Sequence, residues 1–299
     1  MLLSLGAFAC SGEKPTDNPD TSSPEAPEIR PEAYQNSLEV ALKVPDRVDQ
    51  LRLTNAGLEQ IPAEITKLKN VKAIYLSDNP KVDYQEAIPY LAQLPQLTEL
   101  ALGANQIKEL PAEISQMKNL SALWLDINPE LKWEDVLNKL EKLPGFKELS
   151  LNDNEMQQIP QQIGQLQNLE ILYLERNNLK KLPESLQKLG KLHTLSLNGN
   201  PELDLKATLN QLSQLKNLEV LMLGMSNIEE LPEEIGQLQN LEVLWLNNNQ
   251  IETVPQSMAQ LKKLTALHIF ANPLSDEATA RLKEMLPNTE IVYEGGAMP

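Results

Sequence analysis

Side chains able to do nucleophilic, metal or acid–base chemistry are sparse in this sequence. It holds two histidines, His193 and His268, and one cysteine, Cys10. One cysteine can build neither a disulfide framework nor a thiolate zinc site within the chain, and no metal site is expected. There is no glycine-rich phosphate loop and no Ser/His/Asp set, so no cofactor is expected. What remains is carboxylate: 42 Asp and Glu stand against 26 Lys and Arg, a formal net charge of −16. That balance excludes nucleic acid as partner, because a phosphate backbone needs clustered Lys and Arg. Asp126 with Glu148 is a pair that could resemble a glycosidase couple, which needs two carboxyl groups ~5–10 Å apart with one pKa raised. On an open, wet surface neither pKa is expected to rise, so the chain is read as no enzyme.

The elements that position these residues repeat. Written in the register LxxLxLxxNxL, the chain shows ten copies, starting at Val48, Val71, Leu97, Leu120, Phe146, Leu169, Leu192, Leu218, Leu241 and Leu264, with spacings of 23 or 26 residues. In each copy xLxLx has a period of 2, so Leu244 and Leu246 point to one face of a short strand and Val243, Trp245 and Asn247 to the other. An asparagine column follows: Asn79, Asn105, Asn128, Asn154, Asn177, Asn200, Asn249 and Asn272, with Ala56 and Ser226 departing from it. An Asn side chain at a turn can bond the backbone of a neighbouring coil. The ladder should therefore be weaker at the first and eighth repeats. Pro62, Pro111, Pro160, Pro183, Pro232 and Pro255 each fix φ and start a short turn or half-helix on the outer side. In the 26-residue repeats the outer segments LKWEDVLNKLEKLPG and LDLKATLNQLSQLKN have helical spacing, whereas VDYQEAIPYLAQLPQ is interrupted by Pro89.

The units LEVLWLNNNQIETVPQSMAQLKK and LEILYLERNNLKKLPESLQKLGK carry a close resemblance to the leucine-rich-repeat family, in the LPxxI class common in bacteria and Ras-group scaffolds. The resemblance implies an α/β fold, a right-handed solenoid with a curved parallel sheet on its concave face and short helices and turns on its convex face. One repeat cannot bury enough apolar surface to offset its backbone entropy, so units must stack and the ends need caps. A cap helix is expected over residues 29–47, with Tyr34, Leu38, Ala41 and Leu42 on one face, then ten repeats over 48–274 and a C-terminal cap over 275–299.

Repeat proteins bind through the sheet surface offered to solvent. Its central column runs Arg52, Tyr75, Ala101, Trp124, Ser150, Tyr173, Ser196, Met222, Trp245 and His268, with Phe270 two residues further on. Aromatics make up only 4% of the chain, yet two of its three tryptophans stand in this column. Tyr75, Trp124 and Tyr173 fall on every second repeat. The partner-binding residues are taken as Tyr75, Trp124, Tyr173, Met222, Trp245, His268 and Phe270, with Asp126 and Glu148 beside them. Large alternating with small could equally serve strand packing. If the tryptophans are exposed anchors, truncating them should change stability by less than ~0.5 kcal/mol and affinity by far more.

The first nine residues, MLLSLGAFA, form an apolar run before Cys10 and read as the end of a secretory signal. They resemble the bacterial lipoprotein signal, in which cleavage after a small residue, here Ala9, exposes a cysteine for lipidation. Residues 10–28, rich in Pro, Ser, Thr, Asp and Glu, then read as a disordered tether. The expected protein is a lipid-anchored scaffold of the cell envelope, at the outer membrane or cell surface, binding a protein or peptide. The alternatives are a glycan or cell-wall polymer as ligand, and a cytoplasmic location.

Overall fold

A computed structural model describes residues 31–293. The expected signal, Cys10, the tether and the last residues of the C-terminal cap lie outside the described residues, as does the Tyr34 side chain. Eleven three-residue strands form one parallel sheet in sequence order: β1 (Gln50–Arg52), β2 (Ala73–Tyr75), β3 (Glu99–Ala101), β4 (Ala122–Trp124), β5 (Glu148–Ser150), β6 (Ile171–Tyr173), β7 (Thr194–Ser196), β8 (Val220–Met222), β9 (Val243–Trp245), β10 (Ala266–His268) and β11 (Glu290–Val292). The strands are short because the period-2 pattern lasts only for xLxLx. The leucines at its centre, Leu51, Leu100, Leu123, Leu149, Leu172, Leu195, Leu221, Leu244 and Leu267, are fully buried. This architecture is the leucine-rich-repeat solenoid.

Each of the six prolines named above is the N-cap of a five-residue 3-10 helix, such as Ala63–Lys67 after Pro62 and Gln256–Gln260 after Pro255. Three longer outer helices belong to the 26-residue repeats. After α1 (Pro31–Gln35) and α2 (Leu38–Ala41) these are α3 (Tyr84–Leu91), α4 (Trp133–Leu140) and α5 (Leu205–Leu212). Pro89 does not interrupt α3, which is as long as the other two. It removes one helical donor, but Tyr84, Ala87, Ile88 and Leu91 bury a whole face of that helix, and tertiary burial outweighs the missing bond. At the start of the array the expected single cap helix is two short ones, because the Ser37 hydroxyl caps a new helix by accepting from the Val40 N–H. Leu38 and Ala41 are buried and Leu42 packs on the same core. The last repeat is followed by α6 (Asp276–Met285) and β11, which cover it with Leu282 and Leu286.

The asparagine ladder ties the turns together. The Asn79 N–H donates to Asn105 Oδ1 at 2.6 Å, and the Asn105 and Ile107 N–H groups donate to Asn128 Oδ1 at 3.2 and 3.0 Å. Each amide also donates backward, as Asn128 Nδ2 does to the Leu102 carbonyl of the previous repeat at 3.0 Å. At the eighth repeat the rung is thinner. The Ser226 hydroxyl accepts from the Asn200 N–H at 3.3 Å and donates within its own repeat, to the Gly224 carbonyl. Forming this turn puts the residue before each ladder position in the left-handed region, from Asn55 to Ala271, and only Gly199 among the ten is a glycine.

Candidate functional site

The open face of the sheet is built by register. Arg52, Tyr75, Ala101, Trp124, Ser150, Tyr173, Ser196, Met222, Trp245 and His268 are consecutive strand partners, so the predicted column is continuous. The column toward the strand starts runs beside it through Ala73, Glu99, Ala122, Glu148 and Ile171. The two alternate out of phase. Where the central column carries a ring, the side column carries Ala or Ile. Where it carries Ala101 or Ser150, the side column carries Glu99 or Glu148. The result is a checkerboard in which each glutamate stands diagonally between two aromatic rings.

The rings and carboxylates touch. Tyr75 and Trp124 stack with centroids 6.2 Å apart and planes at 29°, reaching across the strand between them. The Tyr75 hydroxyl donates to Glu99 Oε2 at 3.0 Å and accepts from Gln50 Nε2 at 3.4 Å, while Trp124 Nε1 donates to Glu148 Oε1 at 3.1 Å. The small residues lie under this layer, with Ala101 at 7% and Ser150 at 1% exposure. Trp124 and Trp245 point to solvent as alternation requires, but they are half-buried. This corrects the expectation of freely exposed anchors: Trp124 stacks with Tyr75 across the strand that carries Ala101, and Trp245 stacks on His268 of the adjacent strand.

The same covering changes the acid chemistry. Burial pushes the Glu148 carboxyl above its ordinary value, against the lowering effect of the Trp124 N–H, and burial likewise raises Asp126. The expectation that both would stay unshifted on a wet surface was therefore wrong. Burial also raises the Tyr173 hydroxyl, with Glu148 and Glu175 adding to the shift.

Asp126 has a role the sequence reading missed. Its Oδ1 accepts from the Ser150 hydroxyl at 2.5 Å and from the Asn152 N–H at 2.8 Å. Asn152 Oδ1 accepts from the Glu175 N–H at 2.7 Å, and Asn198 Oδ1 from the Gly224 N–H at 2.7 Å. Asp126 thus belongs to a second ladder on the far side of the aromatic column. The signal was visible as short acceptor side chains at one column, Ser77, Asp126, Asn152 and Asn198, with Gly103 and Gly224 among the recipients. Asp153 is held by Arg176 at 2.7 Å.

Toward the C-terminal end the face turns apolar, with Val220, Met222, Val243 and Phe270 all half-buried. Here His268 stacks on Trp245 at 3.5 Å with planes 7° apart, and burial holds its pKa below the usual histidine value. His193 is elsewhere, its Nδ1 2.9 Å from the Thr194 hydroxyl. Among the described residues no His, Cys, Asp or Glu cluster could hold a metal ion, and no helix is long and apolar enough to cross a membrane.

Comparison with known proteins gives a consistent assignment of the repeat. Residues 195–285 match a leucine-rich repeat region family and residues 144–201 a second leucine-rich repeat family. No curated protein matches the chain. Among solved structures the chain is similar to two internalins of Listeria monocytogenes. With inlF it shares 18% identity and a TM-score of 0.56, over 86% of this chain and 84% of the other. With inlC2 it shares 23% identity and a TM-score of 0.50, over 70% and 84%. A leucine-rich-repeat protein of Leptospira interrogans aligns over 86% of this chain and 99% of its own at 26% identity, with a TM-score of 0.34.

Proposed function

The chain folds as a leucine-rich-repeat solenoid, and on that premise we propose that it is a non-enzymatic binding scaffold of the cell envelope that recognises a protein or peptide on the open face of its sheet. The observation that carries this reading is the checkerboard of Tyr75, Glu99, Trp124, Glu148 and Tyr173 on one side of β2–β6. Aromatic rings with polar edges dominate interface hot spots, since they offer large area at low entropic cost. Ile127 supports it. This residue follows Asp126, is 52% exposed, and adopts φ of 55° although it is β-branched. Its backbone conformation costs stability, and its exposed apolar side chain suits a contact made with something outside the chain.

The test is capture from envelope or host extracts on the immobilised full chain, with Trp124→Ala and Trp245→Ala chains alongside. The expected result is a protein retained by the parent and lost from both variants. Identical retention on all three would sink the reading, and retention on a glycan array in place of protein capture would replace it with carbohydrate binding. Anchoring through Cys10 belongs to the same proposal. Cys10→Ser should release the chain from the membrane fraction, and a variant that stays there would refute the anchor.

A further inference from the structure

We propose that the hollow between Tyr75, Trp124, Glu99 and Glu148 receives an arginine side chain of the partner. The inference rests on the reading of the sheet face as a binding surface and names the chemistry of one contact on it. The hollow has a volume of about 370 Å³, and its rim is completed by Lys147 and Glu170. Three carboxylates meet one ammonium there, and that ammonium is already held by Glu170 at 3.1 Å. Glu99 and Glu148 stand on strands two apart, flanking β4, and each repels the other's charge. A cation placed between them relieves that repulsion.

Aromatic faces add a second attraction. A guanidinium is planar, weakly hydrated and able to stack on an indole while its edge donates to a carboxylate. Trp124 and Tyr75 stack on each other and line the hollow, and their own polar edges are turned onto the two glutamates, which holds both carboxylates beside the rings. Each glutamate keeps oxygen lone pairs beyond those single bonds, since an ionised carboxylate accepts about four. A neutral side chain would lose the charge attraction to both the carboxylates and the rings, and an acidic one would add repulsion. Charge complementarity therefore selects a basic occupant, and ring geometry selects arginine.

The experiment uses the full chain and a fluorescein-labelled peptide of alternating Arg and Gly, compared with the same peptide carrying citrulline, the neutral isostere. Fluorescence anisotropy near physiological ionic strength reads the dissociation constant. The arginine peptide should bind roughly tenfold or more tightly than the citrulline one, and Glu148→Gln and Trp124→Leu should each cost roughly tenfold. Glu229→Gln, exposed and far from β4, should leave binding unchanged. Equal binding of citrulline, no binding of arginine, or equal loss in Glu229→Gln would overturn the proposal, the last by revealing diffuse attraction to a chain of net charge −16. Glu148→Gln is isosteric, so its result does not depend on refolding. A captured protein that needs Trp245 but tolerates Glu148→Gln would remove the arginine assignment and leave the binding face standing. Arginine binding with no capture dependent on either tryptophan would do the reverse.

Discussion

The His268 imidazole lies parallel to the Trp245 indole, ring centre 3.5 Å from ring centre, on adjacent strands of the sheet. Burial disfavours its charged form, so its pKa falls below the ordinary 6.5, with Glu290 opposing the shift. In the pH range below 6.5 the unfolded chain binds the proton more readily than the folded one. The contribution of His268 to stability is present above that value and is lost as pH falls through it. Replacing His268 with Phe keeps the stack and removes the titration. Melting temperatures of parent and variant should then diverge between pH 7.5 and pH 5, with the parent losing more. Parallel curves would show that the ring is as well solvated folded as unfolded.

Where two 23-residue repeats adjoin, their 3-10 helices approach closely. A Cβ at Gly164 would lie 2.5 Å from the Ser185 carbonyl oxygen, and one at Gly236 2.5 Å from that of Ser257. Backbone cannot yield as a flexible side chain can. Gly164→Ala and Gly236→Ala should each cost about 1–3 kcal/mol in chemical denaturation, whereas Gly190→Ala, with open space around the new methyl, should be neutral or slightly stabilising. Equal tolerance at all three positions would mean the coils are not locked at these contacts.

The thin rung at Ser226 is repairable. An asparagine there would resemble the rungs at Asn200 and Asn249, whose amides donate to the carbonyls of the preceding repeat. Ser226→Asn should add about 1 kcal/mol, the usual net value of one hydrogen bond. Asn128→Ala should instead remove at least about 2 kcal/mol, because the buried Asn105 and Ile107 N–H groups lose their acceptor. Denaturant midpoints at constant slope decide both.

Trp124 separates stability from affinity less cleanly than a freely exposed ring would. Its indole is half-buried, stacks on Tyr75 and donates to Glu148, so Trp124→Ala should cost about 1–2 kcal/mol of stability. Loss of a hot-spot anchor should cost ~2–4 kcal/mol of binding, roughly a 30- to 1,000-fold change in Kd. A melting temperature and a Kd on the captured partner give the ratio. Lost stability with unchanged affinity would reduce the column to strand packing.

Ile127→Asn places a residue tolerant of the left-handed region at φ 55° and removes an exposed apolar side chain. The variant should melt higher, by the equivalent of about 1 kcal/mol, and bind the partner less well. A gain in stability with no loss in affinity would remove Ile127 from the binding surface.

The repeat, the strand direction and the choice of face were determined by sequence alone, because they follow from periodicity. Alternation at xLxLx forces Leu123 and Leu125 inward and Trp124 outward whatever the neighbouring coil does. The asparagine column and the prolines were legible for the same reason, since each acts on backbone within a few residues. What lies between coils was decided only in the folded chain. Asp126 and Glu148 look alike in sequence, as acids beside an aromatic column. Their register partners make Asp126 a rung of the sheet, bonded to Ser150 and Asn152, and leave Glu148 at the edge of a hollow with Trp124. The lean of Tyr75 and Trp124 toward each other depends on side chains 49 residues apart in sequence and two strands apart in space, and the burial that raises the Glu148 carboxyl likewise comes from neighbouring repeats. No local pattern encodes that distance. It arises from the stacking of whole repeats, which alone buries enough apolar surface to hold any one of them in place.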